Sequence, residues 1–109
     1  MPSKFEIIFF ESGQSKPPEK FLLSLPEKTI AKALRLFDLL EKYGPQIGFP
    51  YVKKVSSQLW ELRIKGQNES RFFFTVLQKK IFILHGFRKK TQKIPPKEIR
   101  LAQKRLTDL

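Results

Sequence analysis

A chain of 109 residues has room for one domain and one core, and 40 % apolar residues with eleven Phe can build it, so 29 % charged residues do not signal disorder. Cys is absent and His occurs once, which excludes disulfides and thiolate metal sites and leaves little for a His-based one. A formal charge of +12 favours an anionic partner: nucleic acid first, an acidic protein second, an anionic membrane a distant third.

Residues 4–10, Lys-Phe-Glu-Ile-Ile-Phe-Phe, read as a β-strand of branched and aromatic residues whose poor alternation suggests burial on both faces. Residues 11–18 are a loop by composition, and Pro18 can open a short helix over 18–25 that Pro26 closes. The spacing of Ile30, Ala33, Leu34, Phe37 and Leu40 predicts a longer helix over 26–43 with one apolar stripe, stopped by Gly44-Pro45. Residues 46–54 read as a loop. Three strands follow, over 59–64, 71–77 and 80–87, with Lys65-Gly-Gln-Asn-Glu as the first turn. Pro95-Pro96 then opens a terminal helix with Ile99, Ala102 and Leu106 on its inner side. The expected fold is one α+β domain over 1–109, in the order β-α-α-β-β-β-α, with a mostly antiparallel sheet and a helical hairpin packed on one face. No apolar run approaches the ~18–20 residues that span a bilayer. Met1-Pro-Ser-Lys-Phe does not open a signal peptide, so a cytoplasmic location is expected.

The candidate chemistry sits on the last three strands. Arg63 closes one strand and Arg71 opens the next. If odd-numbered residues face one another, both guanidinium groups share a face with Glu61. Like charges opposed across strands destabilise a hairpin, which is easier to understand if an anion comes between them; otherwise Glu61 simply pairs with one Arg. Arginine suits phosphate because its planar fork bonds bidentately and keeps its charge. Residues 88–109 hold eight Lys and Arg against two acids, a net of +6. Such a cluster beside a strand end could hold a polynucleotide backbone, with Lys65, Arg88 and Lys93 as further phosphate contacts. Phe73 and Phe87, if exposed, offer stacking surfaces for an unpaired base; otherwise they are core. His85 is a candidate acid or base, or a structural residue of an apolar strand. A single His excludes a two-histidine ribonuclease arrangement, so RNA cleavage would lean on cations that stabilise a pentacoordinate phosphate. A Lys crowded by other cations, or Glu61, could then serve as base.

Leu59-Trp-Glu-Leu-Arg63, then Arg71, then Leu84-His-Gly-Phe-Arg-Lys-Lys-Thr-Gln-Lys-Ile-Pro-Pro96, then Ala102 resemble the HigB-type, phage-derived branch of the RelE/ParE toxin superfamily. The resemblance runs along nearly the whole chain. It implies a RelE-like domain acting as the toxin of a type II toxin–antitoxin pair. It also implies a metal-independent endoribonuclease, without cofactor, that enters the ribosomal A site and cuts mRNA. There the 2′-hydroxyl attacks the adjacent phosphate, leaving a cyclic phosphate and a free 5′-hydroxyl. On this reading Arg63 and Arg71 grip the scissile phosphate, Lys89 or Lys90 stabilises charge or handles the proton, and Phe87 stacks on a base. The implied partners are the ribosome with its mRNA and an antitoxin with a helix-turn-helix domain. Two alternatives remain: a non-catalytic, gyrase-inhibiting toxin of the ParE type, and a plain RNA-binding module.

Overall fold

Apolar strands and amphipathic helices leave one economical arrangement, a sheet with helices on its faces, and the computed structural model, which describes residues 4–66 and 69–109, has that form. In chain order the elements are β1 (Glu6–Phe9), α1 (Pro17–Leu23), α2 (Glu27–Tyr43), a 3-10 turn (Gly44–Ile47), β2 (Val52–Ser56), β3 (Leu59–Ile64), β4 (Ser70–Leu77), β5 (Lys80–Arg88) and α3 (Pro96–Thr107). The five strands form one sheet in the order β1-β5-β4-β3-β2. β1 runs parallel to β5 and every other pairing is antiparallel. The α+β class, the mostly antiparallel sheet and the helical hairpin on one face are as expected.

The two faces of the sheet carry different cores. On one, Leu62, Ile64, Phe72, Phe74, Ile81 and Ile83 meet Leu22 and Leu25, with Ala33, Phe37 and Leu40 of α2. Phe72 is the hub, edge-on to Phe21 of α1 at 5.6 Å and to Phe37 of α2 at 5.4 Å. Gly86 makes room there: a Cβ at this position would lie 2.5 Å from the Phe21 ring and 2.8 Å from the Phe72 ring. On the other face, Leu59, Phe73, Leu84 and Phe87 pack against Ala102, Ile99 and Leu106 of α3.

A β-bulge in β5 decides which residues reach which face. Phe74 pairs with Ile83, but Phe73 pairs with His85, so Leu84 is the extra residue. A bulge inserts one residue and reverses the alternation beyond it. Ile81 and Ile83 therefore point to the helical hairpin, whereas His85 and Phe87 point to α3. Unbroken alternation would put all four on one face.

Three expectations need correction. Residues 52–56 form an edge strand, not part of a loop. Val52 packs into the hairpin core and Val55 into the α3 core, a spacing of three produced by a register shift between Lys54 and Ser56, so no period of two is visible. Leu34 lies outside the apolar stripe of α2, at 49 % exposure, and Leu36 packs in its place. β1 is an edge strand whose residues are exposed or half-buried rather than covered on both faces. Part of the expected 65–69 turn, Gln67 and Asn68, lies outside the described residues.

Candidate nucleic-acid interface

The hairpin of β3 and β4 sets the geometry. Arg63 pairs directly with Arg71, and Glu61 with Phe73, so the odd-numbered residues share the α3 face as the register argument required. Two opposed guanidinium groups need an anion, and the chain supplies it. Glu61 lies 3.5 Å from Arg63 Nε through Oε1 and 3.7 Å from Arg71 Nε through Oε2. Glu69 takes the other end of Arg71, accepting a hydrogen bond from Nη2 at 3.0 Å, and Arg71 Nη1 donates to the Ser70 carbonyl at 3.2 Å. Arg71 is 1 % exposed and Glu61 3 %.

This cluster is charge-matched but not fully hydrogen-bonded. Glu61 Oε2, Arg63 Nε and Arg71 Nε are buried without a hydrogen-bond partner among the described residues. The Glu61 contacts to Arg63 and Arg71 lack hydrogen-bond geometry and are Coulombic. Buried groups are normally satisfied, and a native exception asks for an explanation. Arg63 keeps part of its side chain in solvent, whereas Arg71 does not. Arg71 therefore cannot grip an external phosphate as expected; it is the buried support beneath the surface. Glu61, held between two cations, cannot reach a substrate hydroxyl either.

Beside this support, β5 runs out into a basic loop. An open cavity of about 680 Å³ is lined by Glu69, Arg88, Lys89, Lys90, Thr91 and Gln92. The Lys89 N–H donates to the Glu69 carbonyl at 2.9 Å, which ties the loop to the start of β4. The Thr91 hydroxyl donates to the Lys93 carbonyl at 2.6 Å and shapes the bend beyond. Arg88, Lys89 and Lys90 are thus brought together as expected. Lys93 is exposed but does not line the cavity, and Lys65 stands in a different groove.

His85 is engaged elsewhere. Its Nε2 lies 2.9 Å from Glu98 Oε1, and its Nδ1 lies 3.5 Å from Arg105 Nη1. Arg105 also donates to the Leu84 carbonyl at 2.8 Å. A neutral imidazole with its proton on Nε2 fits both contacts, a tautomer assigned from the network. Burial lowers the His85 pKa, the Glu98 hydrogen bond and charge oppose that, and Arg105 adds to the lowering. Burial also lowers the Arg105 pKa. His85 stacks on Phe87 with ring centroids 5.5 Å apart. It docks α3 onto the sheet and has no nitrogen left for a substrate. Phe73 and Phe87 are 0 % and 5 % exposed, so they are core rather than stacking platforms.

Glu69, Glu98 and Arg105 were not singled out in the sequence, though each left a signal. Residues 69 and 71 are two apart at a strand start and so share a face; residues 98 and 105 are seven apart on a helix and also share one. Among the described residues, no three His, Cys, Asp or Glu side chains gather as a metal ligand set. A second groove, of about 420 Å³ on the hairpin side, is lined by Leu36, Leu39, Pro50, Tyr51 and Ile64 under Lys32, Arg35 and Lys65, with no acid among them. No helix among the described residues is long and apolar enough to cross a membrane.

The architecture is that of a small α+β domain with the layout of a RelE-like fold and a cavity lined mostly by basic and polar residues. Residues 20–107 match the family described as Phage derived protein Gp49-like (DUF891), and the chain belongs to that family. The family is associated with RelE/toxin-type proteins, which is compatible with a toxin of a toxin–antitoxin pair and suggests an antitoxin partner. A search of curated proteins finds no match.

Proposed function

We propose that this protein is a HigB-type toxin that inhibits translation as a ribosome-dependent, metal-independent mRNA endoribonuclease. The observation that carries the reading is the cavity at the end of β5, where Arg88, Lys89 and Lys90 converge around one carboxylate, Glu69. Three cations at a strand end give a phosphodiester both a binding site and charge stabilisation as the phosphorus becomes pentacoordinate. In the proposed reaction the 2′-hydroxyl attacks the neighbouring phosphate, and Lys89 and Lys90 hold the extra charge. Arg63, the partly exposed member of the arginine pair, extends the positive surface. Arg71 acts from below by holding Glu69 in place.

The antitoxin would neutralise this charge or seat elsewhere on the surface. The hairpin-side groove, with an apolar floor under Lys32, Arg35 and Lys65, suits an acidic amphipathic segment of such a partner.

The test is induced expression of the wild type beside Lys89→Ala/Lys90→Ala, following growth and mRNA integrity. Growth arrest with mRNAs cut inside translated regions, lost in the double variant, is the expected result. Arrest with intact mRNA and damaged DNA would replace this reading with the gyrase-inhibiting one. A folded wild type that binds RNA but neither arrests growth nor cuts would replace it with an RNA-binding module.

A further inference from the structure

Transfer of a phosphodiester to its own 2′-hydroxyl needs a group that removes the hydroxyl proton. The groups expected for that role are each occupied. Glu61 is buried between two guanidinium groups. His85 spends both ring nitrogens on Glu98 and Arg105. Glu98 in turn is held by His85. The cavity nevertheless contains a proton acceptor, because Glu69 is the one carboxylate among its described lining residues and its side chain is 45 % exposed.

The setting of Glu69 is specific. Its carbonyl is fixed by the Lys89 N–H, and its carboxylate is fixed through Oε2 by Arg71, which is buried and cannot follow a ligand outward. A carboxylate offers about four acceptor sites, and one hydrogen bond to Arg71 uses one of them. The anion is therefore anchored on the protein side while retaining acceptor capacity. It would also reduce the affinity of a purely phosphate-binding surface, since it repels the backbone that Arg88, Lys89 and Lys90 attract. Glu69 neutralises buried Arg71 on the protein side, and its remaining acceptor capacity faces the cavity, where a hydroxyl proton can be taken.

We infer that Glu69 is the general base of the proposed cleavage, oriented by Arg71 as a positioning residue and flanked by Lys89 and Lys90. This assignment rests on the ribonuclease reading. The 2′-oxygen gives its proton to the Glu69 carboxylate as the O2′–P bond forms. The P–O5′ bond breaks, and the departing 5′-oxygen takes a proton from the Lys89 or Lys90 ammonium. The protonated Glu69 then returns its proton through solvent to the neutral amine, so no net proton is gained or lost. The products are a 2′,3′-cyclic phosphate and a 5′-hydroxyl.

The experiment measures single-turnover cleavage of ribosome-bound mRNA across pH for the wild type, Glu69→Gln and Glu69→Asp, with RNA affinity and thermal melting recorded in parallel. Removal of a general base lowers the rate by roughly 100- to 10,000-fold. A loss of at least that lower size is expected for Glu69→Gln, with RNA affinity equal or tighter and the acid limb of the pH–rate profile gone. Glu69→Asp keeps the charge beside Arg71 and retracts the carboxylate by one methylene. It tests the same role if Glu69→Gln does not fold, and it should lose more than about tenfold in rate while melting as the wild type does. Wild-type-like rates and an unchanged acid limb in either folded variant would overturn the assignment and leave the ribonuclease reading standing. A wild type that does not cleave would overturn both.

Discussion

Two charged clusters on the α3 face of the sheet each join glutamate to arginine and end in opposite states. At the α3 contact, His85, Glu98 and Arg105 are joined at hydrogen-bond distances and bury part of the helix interface. At the β3–β4 hairpin, Glu61 and Glu69 match Arg63 and Arg71 in charge, yet three of the buried atoms lack hydrogen bonds among the described residues. A closed network fixes one geometry; a network left partly open holds charge in position without saturating it. The first is therefore assigned to folding and the second to the support of the basic cavity. Violations of the satisfaction rule are expected at functional sites more than elsewhere.

The comparison breaks first at Arg71. Removing one partner from a buried ionic cluster leaves an uncompensated charge and costs about 3–5 kcal/mol. Arg71→Ala should show that loss in chemical denaturation, because Glu61 would keep only Arg63 and Glu69 would lose its anchor. A loss below about 1 kcal/mol would mean that the pair does not hold the hairpin. Loss of activity in this variant consequently reports the fold and the anchoring of Glu69, and does not place Arg71 against the substrate.

Next is the closed network. Glu98→Ala strands the His85 Nε2 proton in a half-buried setting, and an unsatisfied donor costs about 1–3 kcal/mol. Hydrogen exchange should quicken first in α3, while β3 and β4 stay protected. Quickening across the whole sheet would show instead that α3 is not a separable layer.

The same network predicts a pH dependence. The groups facing His85 are Glu98 and Arg105 of α3, and its ring neighbours Phe73 and Phe87 do not titrate. Its folded pKa lies below the ordinary 6.5, chiefly through burial. The unfolded chain therefore takes up a proton at higher pH than the folded one. Stability should be full above about 7 and should fall as pH drops through 6.5 towards the folded value. Melting temperatures at pH 7.5, 6.5 and 5.5 should show that fall, and His85→Gln should flatten it. A slope of the opposite sign would mean that the Glu98 attraction outweighs burial.

Much of this contrast was legible in the sequence, and the illegible part has physical causes. The strand at 59–64 could be read from its alternation, and those at 71–77 and 80–87 from short apolar runs between polar turns. The opposition of Arg63 and Arg71 was legible as one register open to the hairpin, and the pairing of β3 with β4 has that register. β2 stayed hidden because its two apolar residues serve different cores across a register shift. The burial of Phe73 and Phe87 stayed undecided because it depends on where α3 lies, and a helix's own periodicity does not say which strands it covers. His85 looked like chemistry because of its residue type. Its partners, 13 and 20 positions away, are near only once the bulge in β5 has turned it towards α3.

The smallest expected effect on stability is also the sharpest test of the division between the two clusters. Lys90 is exposed and Lys89 half-buried at the mouth of the cavity, and Lys89 contributes to the fold through its backbone N–H. Substituting surface side chains of this kind changes stability by about 0.5 kcal/mol or less, so Lys89→Ala/Lys90→Ala should melt close to the wild type. Its RNA binding should weaken, and the slope of log affinity against log salt should flatten by roughly 1.4 to 1.8, the release of two counterions. A fall in stability of more than about 2 kcal/mol would place these lysines in the fold and dissolve the contrast with His85. An unchanged salt slope would move the phosphate contact to other cations, Arg63 and Arg88 first.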